Sequence, residues 1–174
     1  MRSSDFVLKT MKKSVDTVTT TFDSPLGLMR LAANPKGLCG LWFEGQRHQV
    51  DASAWPTEKN HPLLLQAITQ LTQYFAGQRR QFDLPLDLSV GTSFQQTVWQ
   101  ALQSMAFGQT CSYSALSAQM GRPTAVRALS GAVARNPLSI IVPCHRVLGA
   151  NGALTGYAGG LERKAALLHL EGAL

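Results

Sequence analysis

Apolar and polar residues alternate or recur with clear periods along most of the 174 residues. Residues 17–22 are rich in Thr and Val and predict a strand. Residues 28–33 and 38–43 flank Asn34-Pro35-Lys36-Gly37, a turn sequence, and predict a hairpin. Residues 46–60 are polar and read as loop. From 63 to 75 the apolar positions 64, 68, 71 and 75 fall on one face of a helix that ends near Gly77. Residues 82–88 alternate again, but Pro85 limits them to an edge strand.

Beyond residues 88–92 the period becomes helical. Thr92 and Ser93 precede Gln95 and Gln96 in a capping-box arrangement, followed by the stripe Phe94, Val98, Leu102, Met105 and a break at Gly108. Ser112 is placed to cap a short helix over 113–120 that stops at Gly121. Thr124 is placed to cap another, running to about Arg135 and ended by Asn136-Pro137. Two short helices joined by a Gly-containing turn predict a helix-turn-helix. A final helix over 161–170 turns Leu161, Leu167, Leu168 and Leu170 mostly inward. The fold class is therefore α/β (α+β). A small sheet-plus-helix domain over 16–90 precedes a mainly helical, winged-helix-like domain over 91–174, and residues 1–15 form a loose tail.

Composition narrows the function. Hydrophobic residues make up 45% of the chain and charged residues 15%, enough for a core and against wholesale disorder. No apolar run approaches the roughly 20 residues of a membrane span, and residues 1–13 lack the apolar stretch of a secretory signal. Three cysteines (Cys39, Cys111, Cys144) without CxxC spacing argue against a disulfide framework and for a cytoplasmic setting. Cys39, His48 and His61 do not offer four ligands at plausible spacing, so no metal and no cofactor is expected. The net charge is +6, and no carboxylate lies between Asp87 and Glu162, an interval holding Arg122, Arg127, Arg135 and Arg146. Such a stretch suits a polyanion. A neutral helical core with a few surface arginines has the same composition.

The sharpest chemical feature is Ile140-Ile141-Val142-Pro143-Cys144-His145-Arg146-Val147. An apolar run takes the chain inward, and a cysteine is followed at once by a base and a cation. A cysteine attacks as the thiolate, and a neighbouring base or positive charge favours that form. Taken alone, the pair fits either a nucleophile or a buried, inert thiol. The following stretch, 151–160, is glycine-rich with one aromatic, Tyr157. It suits close backbone approach to a planar base and equally an ordinary connection.

Together these blocks resemble the O6-alkylguanine-DNA alkyltransferase family, stand-alone type. The resemblance rests on Pro143-Cys144-His145-Arg146-Val147, Gly156-Tyr157-Ala158-Gly159-Gly160, Lys164 and Glu171-Gly172. It also rests on Phe94-Gln95-Gln96 with Val98-Trp99, Gly108-Gln109-Thr110 with Ser112-Tyr113, and Arg127-Ala128 with Ala132, Arg135 and Asn136-Pro137. It spans the chain from about residue 92. Leu129-Ser130 departs from the Val-Gly of many members, and Ala165-Ala166 from a common acid and tryptophan.

The resemblance implies repair of alkylated guanine, with O4-alkylthymine as a second candidate substrate, by single-use transfer of the alkyl group to Cys144. His145 takes the thiol proton through a water, Glu171 orients His145, and Tyr113 donates near guanine N3. The Ala158 amide meets O6, and the Cys144 and Val147 carbonyls receive the exocyclic amine. Tyr157 and Gly159 complete the pocket, and Asn136 braces it. Double-stranded DNA is entered from the minor groove by the second helix of the motif, with Thr124, Ala128, Arg122 and Arg135 at the DNA and Arg127 filling the gap left by an extruded nucleotide. The protein is expected to be a monomer that acts without a membrane. The whole reading requires an ionised, reachable sulfur. Three rivals fit parts of the pattern: a lesion binder without transfer, a helix-turn-helix regulator, and a cysteine hydrolase.

Overall fold

The computed structural model describes residues 16–174, so the expected tail over 1–15 lies outside the described residues. The chain opens with strands β1 (Val18–Ser24), β2 (Gly27–Asn34) and β3 (Gly37–Phe43), antiparallel in that order. The β2–β3 turn forms because the Asn34 side chain accepts from the Lys36 amide at 2.8 Å and the Gly37 amide at 3.2 Å. Gly37 is required there. Its φ is +154°, and an added Cβ would stand 2.6 Å from the Pro85 carbonyl oxygen.

Helix α1 (Pro62–Phe75) starts on a proline, whose missing N–H costs nothing in the first turn. It buries Leu64, Ala67, Leu71 and Tyr74. Residues 82–88 do not become a strand. Leu86 makes a single bridge to Leu38, while the Leu38 amide donates to the Pro85 carbonyl at 2.8 Å. Proline cannot donate in return, so the ladder goes no further.

Helix α2 (Ser93–Gln103) carries the expected capping box: the Gln95 amide donates to Thr92 Oγ1 at 3.1 Å, and the Thr92 amide to Gln95 Oε1 at 3.0 Å. Ser112 caps α3 (Tyr113–Gln119). Thr124 does not cap α4 (Val126–Ala134). The turn carries one residue further, and Ala125 occupies the cap position without a side-chain bond. Trp99 joins α2 to α4, its Nε1 donating to the Ala132 carbonyl at 2.9 Å.

The chain then returns to the sheet. The Leu41 amide donates to the Pro137 carbonyl and the Ser139 amide to the Leu41 carbonyl, both at 2.9 Å. A 3₁₀ turn (Cys144–Arg146) follows, then β5 (Val147–Leu148), which pairs in parallel with β4 (Cys111–Ser112). This pairing sets the start of α3 beside the Cys144 segment. Helix α5 (Leu161–Leu170) buries Leu167 and Leu168, but Leu161 is 48% exposed because it sits in the first turn, at the edge of the packed face. One buried apolar cluster joins Leu41, Phe43 and Tyr74 to Val98, Leu102, Leu138, Ile141 and Leu167. Each such side chain contributes roughly 1.5–3 kcal/mol by burial. The cluster is what holds the sheet against the Cys144 segment.

Candidate active site

The segment before Cys144 is held from within. The Asn136 Nδ2 donates to the Val142 carbonyl at 2.7 Å, and its Oδ1 accepts from the Leu138 amide at 2.9 Å. Asn136 thus ties together the backbone of the strap from which Cys144 emerges. Cys144 is 5% exposed and lines a cavity of about 150 Å³ with Tyr113, Tyr157 and Ala158. Ser130, Val133 and Ala134 of α4 form another wall. Cys144 therefore borders the cavity while staying almost wholly buried.

Its surroundings favour the protonated thiol. Burial pushes the Cys144 thiol up, although the Asn136 amide, the Lys164 charge and the amides of Cys144 and His145 each favour the thiolate. The expectation of a standing thiolate is corrected on this point: the thiol must give up its proton during reaction.

His145 is fully buried. Its Nε2 lies 2.8 Å from Glu171 Oε2, while Nδ1 is buried with no hydrogen-bond partner among the described residues. Burial lowers its pKa below 6.5, against the opposing pull of Glu171. The neutral ring therefore donates Nε2–H to Glu171 and keeps a lone pair on Nδ1. For Glu171, burial alone would raise the pKa, but bonds from His145 and Arg146 outweigh it and the net shift is downward.

Arg146, counted in the acid-free stretch that suits a polyanion, does not face solvent. It is buried, with Nε donating to Glu171 Oε1 at 2.8 Å, Nη2 on the same oxygen, and Nη1 donating to the Met105 carbonyl at 2.6 Å. A buried carboxylate needs such a partner, so this arginine neutralises Glu171 and leaves no charge for a polyanion.

Lys164, quoted above only as a motif residue, is fully buried. Its ammonium donates to the carbonyls of Val147 at 2.5 Å, Thr155 at 2.8 Å and Gly156 at 3.3 Å. It thereby ties the glycine-rich loop to the Cys144 segment. Burial lowers its pKa to about 8, opposed by Cys144. Val147 is buried and does not line the cavity, and its carbonyl already holds Lys164. Gly159 does not line the cavity either. An added Cβ there would meet the Tyr157 ring at 2.8 Å and the Phe43 ring at 3.1 Å, so glycine lets these rings close. The Tyr113 hydroxyl donates to the Gly156 carbonyl at 3.2 Å.

At the start of α4, Thr124, Arg127 and Ala128 are exposed, and no side-chain bond engages Arg127 among the described residues. Arg122 is exposed with its guanidinium 5.4 Å from the Phe94 ring centroid, and Arg135 is exposed with Nη1 donating to the Gly131 carbonyl at 3.3 Å. Arg127 shares a face of α4 with Ser130 and Ala134, three and seven residues on, so this exposed helix start adjoins the wall of the Cys144 cavity. The structure adds Arg47 and His48, from the loop after β3, to the cavity wall. Neither carried a signal, because a polar loop has no period that points it anywhere.

Comparison with known proteins gives concordant findings. A family model described as 6-O-methylguanine DNA methyltransferase, ribonuclease-like domain, matches residues 17–88, and one described as 6-O-methylguanine DNA methyltransferase, DNA binding domain, matches residues 93–173. A methylated-DNA–protein-cysteine methyltransferase of Mycolicibacterium paratuberculosis is 46% identical over 151 residues, covering 87% of this chain and 90% of that one. The constitutive methylated-DNA–protein-cysteine methyltransferase of Bacillus subtilis is 46% identical over 156 residues, covering 87% and 93%. The crystal structure of Mycobacterium tuberculosis OGT in complex with DNA is similar with a TM-score of 0.81 and 45% identity, covering 88% of this chain and 92% of that one.

Proposed function

The chain belongs to the 6-O-methylguanine DNA methyltransferase family, and from that footing we propose how its residues divide the work. The protein is a methylated-DNA–protein-cysteine methyltransferase that binds DNA and repairs it by direct reversal. Cys144 is the acceptor. The observation that carries this assignment is the division of the His145 ring: Nε2 is held by Glu171, and Nδ1 keeps a free lone pair one residue from the cavity-lining sulfur.

The step runs as an in-line displacement. The Cys144 proton passes to His145 Nδ1 through a bridging water. The sulfur forms a bond to the alkyl carbon as the carbon–O6 bond breaks. The electron pair goes to the guanine, and Tyr113, on the cavity wall, turns its O–H from the Gly156 carbonyl to the ring nitrogen that becomes basic. The Ala158 amide supports the charge on O6. Lys164, bound to the loop carbonyls, stabilises the thiolate at a distance without touching substrate. The product is a thioether, a poor leaving group that water does not displace, so each molecule acts once.

The lesion must leave the duplex to reach Cys144, at a cost of a few kcal/mol. Arg127 is proposed to fill the gap from the minor groove, with Thr124 and Ala128 against the backbone and Arg122 and Arg135 beside them. The exposure of all five supports this. A cytoplasmic place and a monomeric state belong to the same proposal. Among the described residues no helix is long and apolar enough to cross a membrane.

The test is stoichiometry. Duplex carrying O6-methylguanine with a labelled methyl group is mixed with a limiting amount of protein. One label per protein molecule, with no further release on long incubation, is expected. Label released many times over would identify a hydrolase, and binding without transfer a lesion-binding protein.

A further inference from the structure

We propose that His48 is the partition that limits the size of O6 substituent accepted, and that the groove behind it takes the far end of a bulky, aryl-bearing substituent. The inference rests on the alkyl-transfer site assigned above. A second cavity of about 150 Å³ lies beside the first, and His48 lines both. The second is walled by Trp42, Trp99, Val50 and Val90, with Gln95 and Arg135 among the polar residues at its edge. Val90 is 72% exposed, and the Trp42 Nε1 is buried with no partner among the described residues. Such a lining suits a flat ring.

His48 stands at the right end of the reacting pocket. The amide of its neighbour Arg47 donates to the Ala158 carbonyl at 3.1 Å, so the loop is registered against the residue assigned to O6. Its position is held by the loop itself. The Phe43 amide donates to Gln46 Oε1 at 2.9 Å, the Gly45 amide to Gln49 Oε1 at 2.7 Å, and Gln49 Nε2 to Glu44 Oε2 at 3.2 Å. His48 has a φ of +56°, a left-handed backbone that non-glycine residues seldom adopt. The first cavity is well below the roughly 300–1,000 Å³ of pockets that hold drug-sized ligands. A guanine with a methyl group fits that scale. A benzyl group must pass His48.

The test compares rates of Cys144 alkylation by duplexes carrying O6-benzylguanine and O6-methylguanine. In His48→Gly the positive φ suits glycine, so the loop keeps its shape while the partition is removed. The benzyl-to-methyl rate ratio is expected to rise by about tenfold or more, the discrimination carried by a methylene or two of space. Adding Val90→Trp fills the groove and is expected to take back that gain. A ratio in His48→Gly within about twofold of the parent overturns the partition. A gain that Val90→Trp leaves untouched overturns the groove. A parent protein that accepts no methyl group overturns the assigned reaction along with the inference.

Discussion

Replacing Glu171 by Gln keeps the shape of the side chain and removes its charge. Three consequences can be sized. Arg146 loses its counter-ion while buried, a change that costs about 3–5 kcal/mol when one partner of such a pair is removed. The Met105 carbonyl, 2.6 Å from Arg146 Nη1, and the remaining amide oxygen soften this, so the lower value of about 3 kcal/mol is expected. For a chain of this length each kcal/mol lowers the melting temperature by about 2–4 °C, giving a loss of roughly 6–12 °C.

The second consequence is catalytic. An amide can present N–H to His145 Nε2, which drives the ring proton to Nδ1 and abolishes the base. Transfer should slow by roughly 10²–10⁴-fold, the range for loss of general-base help. The third concerns pH. The Glu171 pKa is lowered below 4.5 in the folded protein. Its contribution to stability is therefore fully present above that value and is lost as pH falls through the folded pKa. The stability gap between parent and variant should be widest near neutrality and close under acid. Calorimetry and single-turnover transfer, measured well below the variant's melting point, check all three. A variant that melts within about 1 °C of the parent and reacts within about threefold would refute the reasoning.

Other consequences follow from the same geometry. Arg127→Ala should slow repair of duplex more than reaction with free O6-benzylguanine, since only the duplex needs a gap filled; equal losses would remove Arg127 from that role. The His145 pKa lies below 6.5, so the transfer rate should hold steady from mildly basic pH down to that value and fall only at more acidic pH; a fall beginning near neutrality would place the imidazole elsewhere. Thr92→Ala removes one half of the α2 capping box and should cost about 1 kcal/mol, or about 2–4 °C in melting temperature, with transfer at permissive temperature preserved.

Features encoded by neighbours in sequence were legible before the fold was known. The Asn34–Gly37 turn, the Thr92 and Gln95 capping box and the Ser112 cap each depend on residues a few positions apart, and each is present. The Thr124 cap fails by a single residue because the helix begins at Val126 and leaves Ala125 at the cap position. The β4–β5 pairing was invisible, since two residues per strand leave no period to read. The pairing of Arg146 was hidden for a related reason: its counter-ion lies 25 positions away at Glu171. Lys164 was visible as a motif residue, but its role as a tie between three carbonyls depends on the path of the 151–160 loop. Arg47 and His48 reach the cavity only because the sheet packs on the Pro137–Ser139 strap, a contact between distant parts of the chain.

The central claim concerns one sulfur among three. After reaction with duplex carrying O6-methylguanine, the protein is digested and each cysteine peptide weighed by mass spectrometry. The account predicts one added methyl group on the peptide holding Cys144 and none on those holding Cys39 or Cys111. A methyl group on either of the latter, with Cys144 unmodified, would contradict it.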